Sequence, residues 1–127
     1  MTVALDHTIV PARDKQVSAG FLSRILGVPL APPWGPFVPV QLGHGTTLDY
    51  VDAHDFDEHH YAFLVDDAEF DAAFDRIRAS GTAWYADPFR HEPEAINHHY
   101  GGRGVYFDDP DRHLMEIITA TYGADPE

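Results

Sequence analysis

Displaced along itself so that His7 falls on His60, the chain repeats its own pattern. Ala12 then lies on Val65, Asp14 on Asp67, Val17 on Phe70, Ala19 on Ala72 and Phe21 on Phe74. Apolar positions meet apolar positions, the acid opening one helical stretch meets the acid opening the other, and a histidine meets a histidine. A somewhat longer displacement lays residues 47–51 (TLDYV) on residues 114–118 (LMEII), so that Asp49 falls on Glu116. Such self-similarity constrains the fold more than any single motif, because each copy has to form the same supersecondary unit.

Within each copy the hydrophobic period changes in the same order. Residues 5–10 (LDHTIV) are rich in β-branched side chains and read as a strand that Pro11 ends or places at an edge. From Asp14 the period becomes helical, with Val17, Phe21, Leu22, Ile25 and Leu26 on one face and Gly27 as the stop. Residues 29–36 are too proline-rich for a helix or a central strand and read as a loop. Strands follow at 37–42 and 46–52, joined by a glycine-containing hairpin turn at 43–45 (GHG). In the second copy, 60–65 is a strand and Asp66 and Asp67 occupy an N-cap position. Phe70, Phe74 and Ile77 mark a helix face that Gly81 terminates. A short strand at Trp84 and Tyr85 and a polar, histidine-rich loop at 90–102 precede a hairpin of 104–107 and 113–121 about a turn at 108–112. Residues 123–127 read as a frayed tail.

The 127 residues are enough for one core. Eight Lys and Arg stand against 21 Asp and Glu, a formal charge of −13. Nucleic acid and anionic membrane surfaces both demand a basic footprint, so neither is expected as a partner. The absence of cysteine removes disulfides, iron–sulfur clusters and thiolate zinc sites. There is no apolar run of about 18 residues, and Asp6 and His7 interrupt the first apolar stretch without a basic segment before it. The expected location is the cytoplasm.

Residues two apart in a strand share a face. His7 therefore points with Leu5 and Ile9, His60 with Ala62 and Leu64, and Glu116 with Leu114 and Ile118. Each is a polar group among apolar neighbours, and burying one unpaired costs on the order of 2–7 kcal/mol, so each needs a partner. They can satisfy one another or take up water. Jointly they form a set of two histidines and one carboxylate, which suits a divalent first-row metal with open positions: iron(II), manganese, nickel or zinc.

At this point the chain resembles the vicinal oxygen chelate superfamily, which includes glyoxalase I, bleomycin-resistance proteins, fosfomycin-resistance enzymes and extradiol dioxygenases. The resemblance covers about residues 3–121. It rests on residues 5–7 (LDH) with the following helix, on 59–63 (HHYAF), and on 102–116 (GRGVYFDDPDRHLME), whose DPD, four residues, then Glu is the most specific part. It implies an α+β fold, a single domain of two βαβββ modules (about 3–53 and 59–121) that form an open barrel-like cleft. Metal ligands would lie in that cleft, and substrate would bind through adjacent oxygens. Carried over position by position, His7, His60 and Glu116 fall on the family's metal ligands. Asp49 falls near a fourth ligand that is Glu in glyoxalase I, one methylene longer. Arg112 departs from the glycine common in that turn; positive φ is disfavoured for Arg, which predicts a different turn type.

Tyr106 is expected roughly across from Leu114, on the face of Glu116, where its hydroxyl can donate to a developing oxyanion. His98, His99, Tyr100 and Arg103 lie in the loop entering that strand. An imidazole there suits a base near neutral pH, and the guanidinium suits an acidic substrate. Together these features imply a metal-dependent enzyme acting on a small oxygenated molecule, either extradiol-dioxygenase-like, with iron(II) favoured, or a glyoxalase-like lyase or isomerase. The alternative is a metal-free binding protein that sequesters a cationic drug or metabolite. An open sheet edge and apolar helix faces, together with the family resemblance, also lead us to expect a homodimer.

Overall fold

The computed structural model describes residues 2–123. It resolves into two units, Met1–Asp57 and Glu58–Glu127. Among the described residues no helix is long and apolar enough to cross a membrane.

The first unit contains β1 (His7–Ala12), α1 (Lys15–Leu26), β2 (Val38–Gln41) and β3 (Thr47–Asp52). Its sheet has the order β1-β3-β2, with β1 parallel and β2 antiparallel to β3. Asp14 caps α1 by accepting from the amides of Gln16 and Val17, and Gly27 ends it in the left-handed conformation (φ 70°). Of the strands that a βαβββ module places after its helix, the first is reduced here to a single bridge between Leu30 and Val40. The prolines of residues 29–36 cannot donate to a ladder, which accounts for the reduction. Pro11 lies inside β1 rather than ending it, a position that an edge strand tolerates. The link at 43–45 is a short 3-10 turn closed by Leu42 N–H on the Thr46 carbonyl, with His44 in the left-handed region.

The second unit carries the full module: β4 (His60–Leu64), α2 (Asp67–Ser80), β5 (Trp84–Tyr85), β6 (Gly104–Asp108) and β7 (Leu114–Ile118). The sheet order is β4-β7-β6-β5, with β4 parallel to β7 and the other pairs antiparallel. Asp66 and Glu69 form a reciprocal capping box at the start of α2. Phe70, Ala73 and Ile77 of α2 are buried, as are Val105, Phe107, Met115 and Ile117 of the sheet. Phe74 meets Trp84 edge-on at 5.0 Å.

The turn between β6 and β7 differs from expectation in two ways. It closes one residue later, with Asp109 N–H on the His113 carbonyl, so Tyr106 faces Glu116 and Asp108 faces Leu114. A change of this size keeps Tyr106 on the same face. Arg112 does adopt the left-handed region (φ 65°) despite its side chain. Its neighbours hold it there. Asp109 Oδ1 accepts the amides of Asp111 (2.9 Å) and His113 (2.8 Å), Arg112 N–H donates to the Asp109 carbonyl, and Arg90 donates to the Arg112 carbonyl. Burial pushes the Asp109 carboxyl up to about 6. The tail reading at 123–127 lies, apart from Gly123, outside the described residues.

Two glycines make opposite predictions. Gly20, within α1, has nothing within 4 Å of an added Cβ, so Gly20→Ala should stabilise by roughly 0.5–1 kcal/mol. At Gly102 a Cβ would stand 2.7 Å from both Ala120 Cβ and Thr119 Oγ1. Gly102→Ala should therefore destabilise by about 1–3 kcal/mol. Urea unfolding of both variants checks the pair.

Candidate active site

The pleat of β4, β7 and β6 divides the second unit's sheet into two faces. Tyr61, Met115 and Phe107 take the side of α2. His60, Ala62, Glu116, Ile118 and Tyr106 share the other face and line a cleft of about 570 Å³. His60 Nε2 lies 3.2 Å from Glu116 Oε1. His60 Nδ1–H donates to the Leu114 carbonyl at 2.9 Å, which leaves the lone pair of the neutral ring on Nε2. The ring stacks against Tyr106 at 5.9 Å and 29°. Burial, the Glu116 charge and a hydrogen bond to Glu116 raise the Tyr106 hydroxyl above its ordinary range, so it remains a proton donor at neutral pH.

His7 and Asp49 belong to the first unit. They share a sheet face, because His7 pairs with Thr47 and Ile9 with Asp49 in the parallel register. The His7 Nδ1–H donates to Asp6 Oδ2 at 2.7 Å, again leaving Nε2 as the acceptor of the neutral ring. Asp49 is buried, at 7% exposure. Among the described residues no three His, Asp or Glu side chains form a group that could hold a metal ion.

The expectation that these polar groups are buried among apolar neighbours holds only in part. The side chains of His7 and His60 are 59% and 48% exposed, whereas Glu116 is 14% exposed. Leu5, Ile9 and Leu64 are exposed beside them. The cores lie on the opposite faces, with Val10 and Ala12 in one unit and Met115 and Ile117 in the other.

The loop residues separate. His99 lines the cleft with Tyr100, whereas His98 opens onto a different hollow with Asp66, Gly101 and Thr119. Their adjacency in sequence gave no means of telling them apart; a short 3-10 turn at His99–Gly101 turns them in different directions. Arg103 borders the cleft, but its guanidinium is bound to Asp71 (2.7 Å) and Asp67 (3.0 Å) and lies 4.4 Å over the Phe70 ring. It braces α2 rather than reaching out to a substrate. Asn97, Tyr122 and Pro88 also line the cleft and carry no motif that a sequence reading would select. Arg90 was equally silent, yet its Nε and Nη2 both hold Asp108 Oδ1, and Tyr85 donates to Asp108 Oδ2.

The hydrogen bond to Glu116, aided by the Leu114 carbonyl, raises the His60 pKa above 6.5. A raised histidine pKa stabilises the folded chain below pH 6.5, and that contribution fades as pH rises through the folded-state value. In chelator-treated protein, NMR titration of the His60 ring should give a midpoint above 6.5. Glu116→Gln should lower it, and an unchanged midpoint would remove Glu116 as the cause.

The family model described as the glyoxalase/bleomycin resistance protein/dioxygenase superfamily matches residues 4–117. The chain is 27% identical over 132 residues to the glutathione transferase FosA of Serratia marcescens, covering 98% of this chain and 86% of that protein. Among solved structures, the oxidase ChaP-H2 is 50% identical, with a TM-score of 0.94 and 98% of each chain covered. The fosfomycin resistance protein FosX of Listeria monocytogenes shares the fold at 24% identity, with a TM-score of 0.74 over 96% of this chain and 97% of that one. With nearly its whole length matched, the chain belongs to the glyoxalase/bleomycin resistance protein/dioxygenase superfamily.

Proposed function

We propose that the protein is a metal-dependent oxidase that uses dioxygen to oxidise a small, planar molecule bearing adjacent oxygens. The observation that carries this reading is the His60–Glu116 pair at the floor of the cleft, with Nδ1 of His60 tied to a backbone carbonyl. A histidine whose second nitrogen is anchored in this way is oriented for metal ligation. The Asp6–His7 hydrogen bond prepares His7 similarly. The 50% identity to a protein named as an oxidase favours oxidation over isomerisation.

In this reading His7, His60 and Glu116 hold a divalent metal, iron(II) by preference, with Asp49 beside His7. When bound, such a metal would act as a Lewis acid for the substrate oxygens and pass electrons from the substrate to dioxygen. The protein's own groups do the rest. Tyr106 keeps its proton and donates to Glu116 or to an incoming oxygen. Tyr100, Tyr122 and Pro88 provide flat walls, with Ile118 and Ala120 as apolar surface, to orient a ring and exclude water. A homodimer is part of the proposal, with His7 supplied by the same chain or by a second copy.

Metal analysis of protein purified without chelator or tag tests this directly. The wild type should carry about one metal per proposed site. His7→Ala, His60→Ala and Glu116→Ala should each weaken metal affinity by more than about 100-fold and abolish oxygen uptake with catechol-type substrates. Asp49→Ala should cost less than any of the three, because its carboxylate is one methylene shorter than a glutamate and is buried on the sheet face that it shares with His7. Mixing unfolded and refolded His7→Ala and Glu116→Ala chains should restore about a quarter of the sites if two copies share each site, and none if each chain is self-sufficient. Protein that takes up no metal on reconstitution would overturn the proposal.

A further inference from the structure

We infer that His113 is a positioning residue for the His60–Glu116 pair, acting through the backbone of His59. The inference rests on the metal reading above. His113 is fully buried, at 0% exposure, and takes no part in the chemistry proposed so far. Its Nδ1 accepts the backbone N–H of His59 at 2.8 Å, which places the proton of the neutral ring on Nε2. The His59 carbonyl in turn accepts from Leu114 N–H at 2.8 Å. Both backbone groups of His59 are thus held by neighbouring residues of the other chain segment, one of them through a side chain.

This matters because His60 opens β4. Strand ends are where local opening costs least, and the ladder bonds of β4 to β7 begin only here. The side chain of His113 extends the pairing by one bond beyond the ladder. The Leu114 carbonyl that orients the His60 ring lies next to His113 in sequence, and Glu116 follows on the same strand. A shift of His59 away from β7 would therefore change both the tilt of the His60 ring and its 3.2 Å approach to Glu116.

The anchor itself is rigid. His113 N–H donates to Asp109 Oδ1 at 2.8 Å, and its carbonyl accepts from Asp109 N–H at 3.1 Å. Its ring lies 4.9 Å from that of His59 and meets Tyr61 nearly edge-on at 6.2 Å. His59 and Tyr61 share a hydrogen bond of 2.8 Å between Nδ1 and the hydroxyl. These contacts form on the face opposite the cleft, so His113 can set the geometry of His60 without touching a metal or substrate.

Two substitutions separate acceptor from filler. His113→Asn retains an oxygen acceptor near the position of Nδ1 but loses ring volume. His113→Leu fills most of the volume and accepts nothing. Three quantities are measured for each: thermal stability, amide hydrogen exchange at His59, and affinity for iron(II) or cobalt(II) by anaerobic titration. In His113→Leu, metal affinity should fall by roughly 10–100-fold, the range for groups that orient a ligand, and exchange at His59 should accelerate at least about ten-fold. His113→Asn should keep affinity within about three-fold of wild type even if its melting temperature falls as far. Leucine behaving like wild type while asparagine fails would make His113 a packing residue and overturn the inference. Losses in both variants that simply track melting temperature would overturn it as well. If the wild type binds neither metal, the metal reading fails, and the exchange of His59 alone then decides whether His113 pins β4.

Discussion

The parallel pairing of β4 with β7 is the constraint on which the second unit depends. Parallel neighbours keep Cα partners on one face, so His60 beside Leu114 and Ala62 beside Glu116 bring two polar side chains to the same surface. The antiparallel pairing of β6 then adds Tyr106 opposite Glu116. A slip of one residue in either ladder would turn Glu116 toward the core and Met115 toward the cleft. Met115 and Ile117 are fully buried beneath α2, so the packing that forms the core also forbids that slip. Site geometry and core packing are in this sense one specification, written on alternate residues.

Much of this was legible in the sequence because it rests on local chemistry. Asp14 and Asp66 cap their helices, Gly27 and Gly81 end them in the left-handed region, and the paired histidines begin strands in the order that the repeat implies. What escaped depended on contacts remote in sequence. The turn after β6 looked unsuited to Arg112, but the strain is held by Asp109 and by Arg90, far back along the chain. Similarly, no pattern distinguishes His98 from His99, since one backbone turn decides which of them meets the cleft. The exposure of His7 and His60 is hidden from the sequence for a related reason. Period-two alternation identifies two faces, but the side taken by the helix decides which is core.

The arginines refine what the cleft can recognise. A guanidinium facing an open site would argue for an acidic substrate, and Arg103 stood in the right segment for that role. Its nitrogens are instead taken by Asp71 and Asp67, with Phe70 beneath, and Arg90 is similarly held by Asp108. Freeing either would leave its partner carboxylates unpaired in a chain that already carries a formal charge of −13. Asp67 and Asp71 are largely exposed, so each of their ion pairs with Arg103 is worth at most about 1 kcal/mol, yet together with the Phe70 contact they fix the direction of the guanidinium. With Arg103 held, the cleft presents an aromatic and apolar lining of Tyr100, Tyr106, Tyr122 and Ile118, with the His60–Glu116 pair as its polar end.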